Sequence, residues 1–466
     1  MLGDSAGPSG QAGSAGQAGS LGPAGSFGEV VARRHAAGAL VVQPRMGFAD
    51  PIRMRAGLVA TRSARASTVG TITLDSYTRV GDQASVLAAL HAGAHLNGYP
   101  IVGHSVDTTR AMVRGVLGPD FPIQVRHGSA DPRRIVAAVL AAELDATEGG
   151  PVSYCLPYGR MPLARAIDCW ARCCEQLAEA RRLGREPHLE TFGGCMMGQL
   201  CPPSLLVAIS VLEGLFFVQH GLRSISFSYA QQTNADQDEE AVAALRRLVA
   251  ELLPDVQSHI VIYSYMGVYP RTPQGALLLL EESARLAART GAARLIVKTA
   301  AEAYRIPTIA ENVLALESAA AAAAASTDAT ATDAAPDEQH RRRPGQPADT
   351  GIHAQARSLV EAVLEASDDI GRALRTAFAR GYLDVPYCLH PDNAGRARGF
   401  VDPAGRLQWE RLGSLPIRHA VEPVRSAPIT AAGLLDALSF VQHRFDHRTP
   451  SDRARKPPGE PERARS

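Results

Sequence analysis

Short runs of β-branched and apolar residues recur along this chain, and longer stretches with apolar positions every three or four residues separate most of them. The β-rich runs fall at Leu40–Gln43, Gly70–Leu74, Ile101–Gly103, Ile123–Val125, Val152–Cys155, His188–Thr191, Ser224–Ser228, Ile260–Tyr263 and Leu295–Val297. Helical text such as Ala84–Leu90 and Glu239–Leu253 lies between them. Strands alternating with helices at intervals of roughly 25–40 residues predict parallel βαβ units. Eight or so such units within about 280 residues suit a closed (β/α)8 TIM barrel better than an open α/β sheet. No Gly-x-Gly-x-x-Gly follows the first run and no Gly-x4-Gly-Lys-Ser/Thr occurs, which removes the strongest open-sheet nucleotide signatures.

The pattern is bounded by text that has none. Residues 1–26 repeat Gly, Ala, Ser and Gln without periodicity and are expected to be disordered, so the barrel core is placed at 27–316. After Leu316, seven alanines (Ala319–Ala325), which could extend a helix, lead into polar and Pro/Gly-rich text ending in Arg341-Arg342-Arg343-Pro344, and residues 317–354 read as an exposed low-complexity insertion. Residues 355–447 form a smaller C-terminal α+β extension on the barrel, and 448–466, rich in Pro, Arg and Glu, a disordered tail.

Composition narrows the class. With 48 basic against 47 acidic residues the net charge is +1, so no bulk charge points to nucleic acid, and the Arg341–Arg343 triplet reads as a solvated linker. No run of eighteen apolar residues exists to cross a membrane, and the N-terminus lacks the basic and apolar regions of a secretory signal. Seven cysteines, an odd number and several inside apolar or helical text, suit a reducing cytoplasm better than a disulfide framework. Cys169-x3-Cys173-Cys174 lacks the spacing of an iron–sulfur loop and reads as buried thiols on a helix.

Candidate chemistry sits after the strand runs. Gln43-Pro44-Arg45-Met46-Gly47, Asp75-Ser76-Tyr77-Thr78-Arg79 and Arg126-His127-Gly128 each follow one, and in a barrel such C-terminal strand ends converge on one face. Arginine donates two parallel hydrogen bonds to a carboxylate and stays charged when desolvated, so three together imply a ligand with two carboxylates or a phosphate. The alternative is that each pairs with a local acid such as Asp50, Asp75 or Asp82. The segment Glu148-Gly149-Gly150-Pro151-Val152-Ser153-Tyr154-Cys155-Leu156-Pro157-Tyr158 adds a carboxylate, two phenols and a glycine turn before a strand, and the carboxylate could face a substrate ammonium or the loop could simply pack. No metal site is expected: His-Glu-x-x-His is absent, and His91 and His95, four apart, have no third ligand at a strong spacing. There is no Gly-x-Ser-x-Gly elbow either, so an organic cofactor is one candidate for the chemistry.

These same runs, together with Leu96-Asn97-Gly98-Tyr99-Pro100, Pro202-Pro203-Ser204, Ile296-Val297-Lys298-Thr299 with Glu302 and Ile306-Pro307, and Asn393-Ala394-Gly395, resemble the large, epsilon subunit of the glutamate mutase (methylaspartate mutase) family in the same order along the chain. The resemblance implies a (β/α)8 barrel that uses adenosylcobalamin to interconvert L-glutamate and (2S,3S)-3-methylaspartate through a radical that fragments and recombines. It implies that Arg45, Arg79 and Arg126 hold the two substrate carboxylates, that His127, Tyr154 and Tyr158 line the substrate pocket, and that Glu148 engages the substrate amino group and exchanges its proton. Gly47, Asn97 and Pro157 match cobalamin contacts; Lys298, Glu302 and Ile306 match the region facing the adenosyl group. Tyr269, before Pro270 in a cofactor loop, stands where the family often has Phe.

The resemblance also implies a partner. The flavodoxin-like module of this enzyme class carries Asp-x-His-x-x-Gly, whose histidine ligates cobalt, and that spacing is absent here. A small cobalamin-binding (sigma) subunit is therefore expected to supply it, in an assembly of two large and two small subunits. A mutase for a related 2-oxo acid, a non-catalytic assembly partner and a cobalamin-free barrel lyase or aldolase are the competing readings. Glu148 beside the arginines favours an amino acid over a keto acid.

Overall fold

The computed structural model describes residues 25–157, 159–193, 200–332, 349–424 and 430–447. Its strands are β1 (Val41–Gln43), β2 (Gly70–Thr73), β3 (Ile123–Arg126), β4 (Ala146–Glu148), β5 (His188–Glu190), β6 (Ser224–Ala230), β7 (Gln257–Tyr263) and β8 (Arg294–Ile296), followed by a separate hairpin of β9 (Arg398–Val401) and β10 (Leu407–Arg411). The helices up to the last barrel strand are α1 (Phe27–Ala36), α2 (Pro51–Ser63), α3 (Ser76–Val80), α4 (Gln83–His91), α5 (Val106–Val113), α6 (Arg133–Ala141), α7 (Leu163–Glu179), α8 (Pro203–Gln219), α9 (Ala235–Leu252) and α10 (Pro273–Thr290). After it come α11 (Ile309–Thr332), α12 (Ile352–Leu364), α13 (Ile370–Arg380), α14 (Ala431–Leu438) and α15 (Phe440–Asp446).

Many of the helices start on a side chain able to satisfy their first free N–H groups. Asp50 caps α2 through Ile52 and Arg53 N–H, Asp75 caps α3, Asp82 caps α4, and Asn234 and Thr272 cap α9 and α10. The acids nearest the strand-end arginines are thus occupied as helix caps.

All eight strands run parallel in the order β1-β8-β7-β6-β5-β4-β3-β2, which is a (β/α)8 barrel. The β6–β7 ladder holds seven register pairs from Ser224↔Gln257 to Ala230↔Tyr263. The ring closes between β1 and β2 through one bridge, Val42↔Thr68, helped by the Val42 N–H to the Ser67 carbonyl at 2.8 Å. Apolar residues pack mainly outside the ring, between strands and helices; α8, with fourteen buried positions, and α7, with Trp170 and the thiols of Cys169, Cys173 and Cys174 buried, form the thickest part. The hairpin and α12–α15 make the expected C-terminal α+β extension, with α12 packed against α8 and α9.

Three expectations need correction. Ile101–Gly103 is a turn; its apolar residues serve the small core around Ile72, Tyr99 and Ile123. Val152–Cys155 is also a turn, folded inward so that the Val152 and Ser153 N–H groups and the Ser153 hydroxyl all reach the buried Glu213 on α8. The strand expected after the glycines instead precedes them, as β4, and Glu148 is its last residue. Gly149 has φ +126°, and a Cβ on Gly150 would lie 2.1 Å from Glu213 Oε1, so both positions require glycine for this reversal. The alanine run lies inside α11 with Ala319 fully buried, so the helix crosses the expected 316/317 boundary. Residues 1–24, 333–348 and 448–466, which hold most of the expected disordered segments, lie outside the described residues. Among the described residues no helix is long and apolar enough to cross a membrane.

Candidate active site

Arg126 is the inward-facing last residue of β3, and burial would strip its guanidinium of water. Its Nε donates to Glu148 Oε2 at 2.7 Å, and its charge lies 5.0 Å from the centre of the Tyr263 ring. Burial works against the charge, but Glu148, with Tyr263, Tyr154 and Glu190, outweighs it and holds Arg126 protonated well above its ordinary value. Glu148 accepts a further hydrogen bond from the Tyr154 hydroxyl at 2.5 Å, and the Tyr263 phenol oxygen lies 2.8 Å from its Oε2. His127 stacks on Trp170 and meets the Tyr154 ring edge-on. Burial, reinforced by Arg79 and then Arg126, pushes its imidazole down to about 3, so it is neutral at physiological pH. The Ser129 N–H donates to Nδ1, which places the ring hydrogen on Nε2. Neither His127 Nε2 nor Arg126 Nη1 has a partner among the described residues, although both are buried. Two donors are thus left facing no acceptor, where a buried polar group ordinarily has one.

A second cluster joins the ends of β1 and β8. Arg45 Nη1 donates to Glu302 Oε2 at 2.9 Å, the Lys298 ammonium sits 3.9 Å from the same oxygen, and its nitrogen lies 4.2 Å from the centre of the Tyr269 ring. Burial brings the ammonium down to about 8, against the pull of Glu302 and with help from Arg45. The unfolded chain keeps that proton up to its usual 10.5, so between these values stability rises with pH. The folded state therefore carries a cost below pH 8 that Lys298→Met removes. The variant should be more stable than wild type at pH 7 by up to about 3 kcal/mol, with the gain vanishing near pH 10.5. Urea unfolding at several pH values checks this, and a variant less stable than wild type at pH 7 would contradict it.

The remaining expected positions spread around the mouth. Arg79 lies on α3, and its Nε donates to the Leu74 carbonyl at 2.9 Å. Gly47 is buried so tightly that a Cβ would sit 2.1 Å from the Thr73 carbonyl oxygen. Asn97 is exposed and braces α3, accepting from the Ser76 N–H at 2.9 Å. Pro157 lines a cleft with Leu389, Leu434 and Leu438, and Ile306 is exposed. Tyr158 lies outside the described residues. The structure therefore gathers Arg126, His127, Glu148 and Tyr154 in one cluster with Arg79 beside it, and Arg45, Lys298, Glu302 and Tyr269 in another. Arg126 and Arg45 find their counter-charges in acids far along the chain rather than in Asp50, Asp75 or Asp82.

Sequence reasoning overlooked the floor beneath these clusters. Arg294 on β8 is fully buried and pairs with Glu190 on β5, with further hydrogen bonds to Gln43 and Ser226. Gln43 Nε2 in turn donates to Thr71 and Gln124 at 2.8 and 2.9 Å, and His188 is held between Ser224 and Ser226. The signal was present: polar residues recur at every second position, as in Gln124 and Arg126, His188 and Glu190, or Ser224, Ser226 and Ser228. A period of two marks one face of a strand, and here that face fills the barrel with polar groups.

Over residues 21–437 the chain matches the family described as methylaspartate mutase E chain (MutE). It is 32% identical over 367 residues to the glutamate mutase epsilon subunit of Halobacterium salinarum, across 76% of this chain and 74% of that one. The corresponding subunit of Escherichia coli O157:H7 is 29% identical over 361 residues, covering 74% and 72% of the two chains. That of Haloarcula marismortui is 31% identical over 371 residues, covering 76% and 72%.

Proposed function

The chain belongs to the methylaspartate mutase E chain family, and from that membership we propose that it is the catalytic subunit of an adenosylcobalamin-dependent mutase, an isomerase interconverting L-glutamate and (2S,3S)-3-methylaspartate. The observation that carries the substrate assignment is the buried Arg126 guanidinium, fixed on one side by Glu148 and left with Nη1 unpartnered among the described residues. A donor held in that state is completed by a carboxylate. Arg126, Arg79 and Arg45 grip the two carboxylates of the substrate, and neutral His127 adds its Nε2–H. Tyr154 lines the pocket and helps exclude water. Glu148 faces the ammonium group and takes its proton, a role a 2-oxo acid would leave vacant.

The second cluster suits the cofactor. Buried Tyr269 Oη, Thr299 Oγ1 and Ser264 Oγ have no partner among the described residues, and with Lys298 and Glu302 they offer the donors and acceptors that ribose hydroxyls need. Ile306 shares that adenosyl-facing region, and Gly47, Asn97 and Pro157 meet the cobalamin. When bound, adenosylcobalamin supplies the organic radical chemistry of the rearrangement; the residues of this chain position the substrate and keep water out. The cobalt ligand comes from a small cobalamin-binding sigma subunit, in a complex of two large and two small chains. The six cysteines among the described residues are free thiols, which suits a reducing cytoplasm.

The purified chain is expected to turn over no L-glutamate at any adenosylcobalamin concentration. Adding the small subunit should restore turnover and perturb the cofactor's ultraviolet–visible spectrum. Turnover by the isolated chain, or none after reconstitution, overturns the proposal; equal turnover of 2-oxoglutarate by the complex overturns the amino-acid assignment.

A further inference from the structure

Tyr263, the last residue of β7, places one phenol oxygen between two carboxylates. It lies 2.8 Å from Glu148 Oε2 and in hydrogen-bond contact with Glu190 Oε1. A phenol has a single hydrogen, so it can donate fully to only one of them. Glu190 is wholly buried, and it also takes the Arg294 guanidinium, the Ser226 hydroxyl at 2.9 Å and the Gln124 amide at 3.3 Å. Burial works against its charge, but Arg294 and then Arg126 outweigh it, and the Glu190 carboxyl lies below its ordinary range. Of the two contacts the one to Glu190 is the closer, and Glu190, paired with Arg294, is read as the anion that holds the Tyr263 hydrogen. The phenol oxygen then presents only lone pairs to Glu148, and a hydrogen bond across that 2.8 Å contact needs a hydrogen that Glu148 itself supplies.

We infer that Tyr263 and Glu190 are positioning residues that turn the Tyr263 oxygen into an acceptor for a proton on Glu148. The inference rests on the reading of Glu148 as the group facing the substrate ammonium. In the step it serves, an ammonium N–H bond breaks and a Glu148 O–H bond forms, leaving a neutral amine and a neutral carboxyl. That new O–H donates to Tyr263, whose own hydrogen stays with Glu190. The charged and titratable groups around Glu148 are Arg126 from β3, Tyr154 from the loop after β4 and Tyr263 from β7; Glu190 on β5 and Arg294 on β8 lie behind the phenol. Arg126 and Tyr154 both stabilise the Glu148 anion. The Tyr263–Glu190 pair is the opposing element that lets the carboxyl hold a proton.

The sign of one shift decides this. In the purified chain, an infrared pH titration follows the carboxyl band that disappears in Glu148→Gln. Tyr263→Phe removes the acceptor, and its midpoint should fall by about one pH unit, a tenfold loss of proton affinity. Glu190→Gln frees the phenol hydrogen to turn to Glu148 and should shift the midpoint the same way. If Tyr263 instead donates to Glu148, Tyr263→Phe raises the midpoint; a rise or no change in a variant with wild-type circular dichroism overturns the inference. Should Glu190→Gln fail to fold, the direction of the Tyr263→Phe shift is sufficient by itself. The titration needs neither substrate nor cofactor. A lowered midpoint together with wild-type turnover of Tyr263→Phe in the reconstituted complex would keep the proton-sharing pair and overturn its role in the reaction step.

Discussion

Arg126→Lys should lower kcat/KM for L-glutamate by about 10- to 150-fold, the span expected when one charge-assisted hydrogen bond of roughly 1.5–3 kcal/mol is lost. In the proposed role the guanidinium has two duties at once: its Nε holds Glu148 at 2.7 Å, and Nη1, which has no partner among the described residues, would take a substrate carboxylate. A lysine keeps the positive charge, and so keeps Glu148 paired and the barrel folded, but its single nitrogen cannot serve both sides with a fixed fork. Steady-state kinetics of the reconstituted complex, with circular dichroism to confirm folding, reads the effect. Activity within about twofold of wild type, well below the loss of one such bond, would remove Arg126 from the carboxylate claw.

A larger loss of stability is expected at the barrel floor. Glu190→Ala strands the Arg294 guanidinium, which has no exposed side-chain surface, without its carboxylate. Breaking one partner of a buried pair costs about 3–5 kcal/mol, because the remaining charge is left desolvated. The urea unfolding midpoint should drop accordingly. Asp120→Ala, which breaks the exposed pair with Arg33, should change stability by no more than about 1 kcal/mol. Similar small effects for both would mean that the floor network contributes nothing beyond a surface pair.

Seven of the nine β-rich runs became barrel strands because their own residues carry the preference. Ala146-Thr147-Glu148 has no such preference; its extended form comes from neighbours on both sides, with Thr147 opposite Val125 on β3 and Leu189 on β5. Val152–Cys155 misled for the converse reason: it is apolar because a loop is buried, with Glu213 supplying the backbone's acceptor in place of a ladder. Glu213 itself is pushed up to about 7 by burial, against the hydrogen bonds it accepts from that loop. At the site, the strand-end arginines were legible because their spacing follows the strands. Their partners Glu148 and Glu302 lie in the family's motifs, but the pairing is a property of ring closure. Arg294 and Tyr263 were hidden because each reads locally as one polar residue at the end of a short apolar run. Only once the strands form a ring do Arg294, Glu190 and Tyr263 meet.

The closure itself has a mechanical side. The ring is stitched by seven register pairs at β6–β7 and by a single bridge at β1–β2, so it behaves as a split hoop with a compliant joint on one side and a stiff arc on the other. Any dilation of its rim costs least at that joint. One lip carries Arg45 and Gly47, and the other leads into α3 and Arg79, while Tyr263 ends the seven-pair ladder on the far side of the ring. The joint that yields most easily and the ladder that ends at Tyr263 thus occupy different sectors of one circumference.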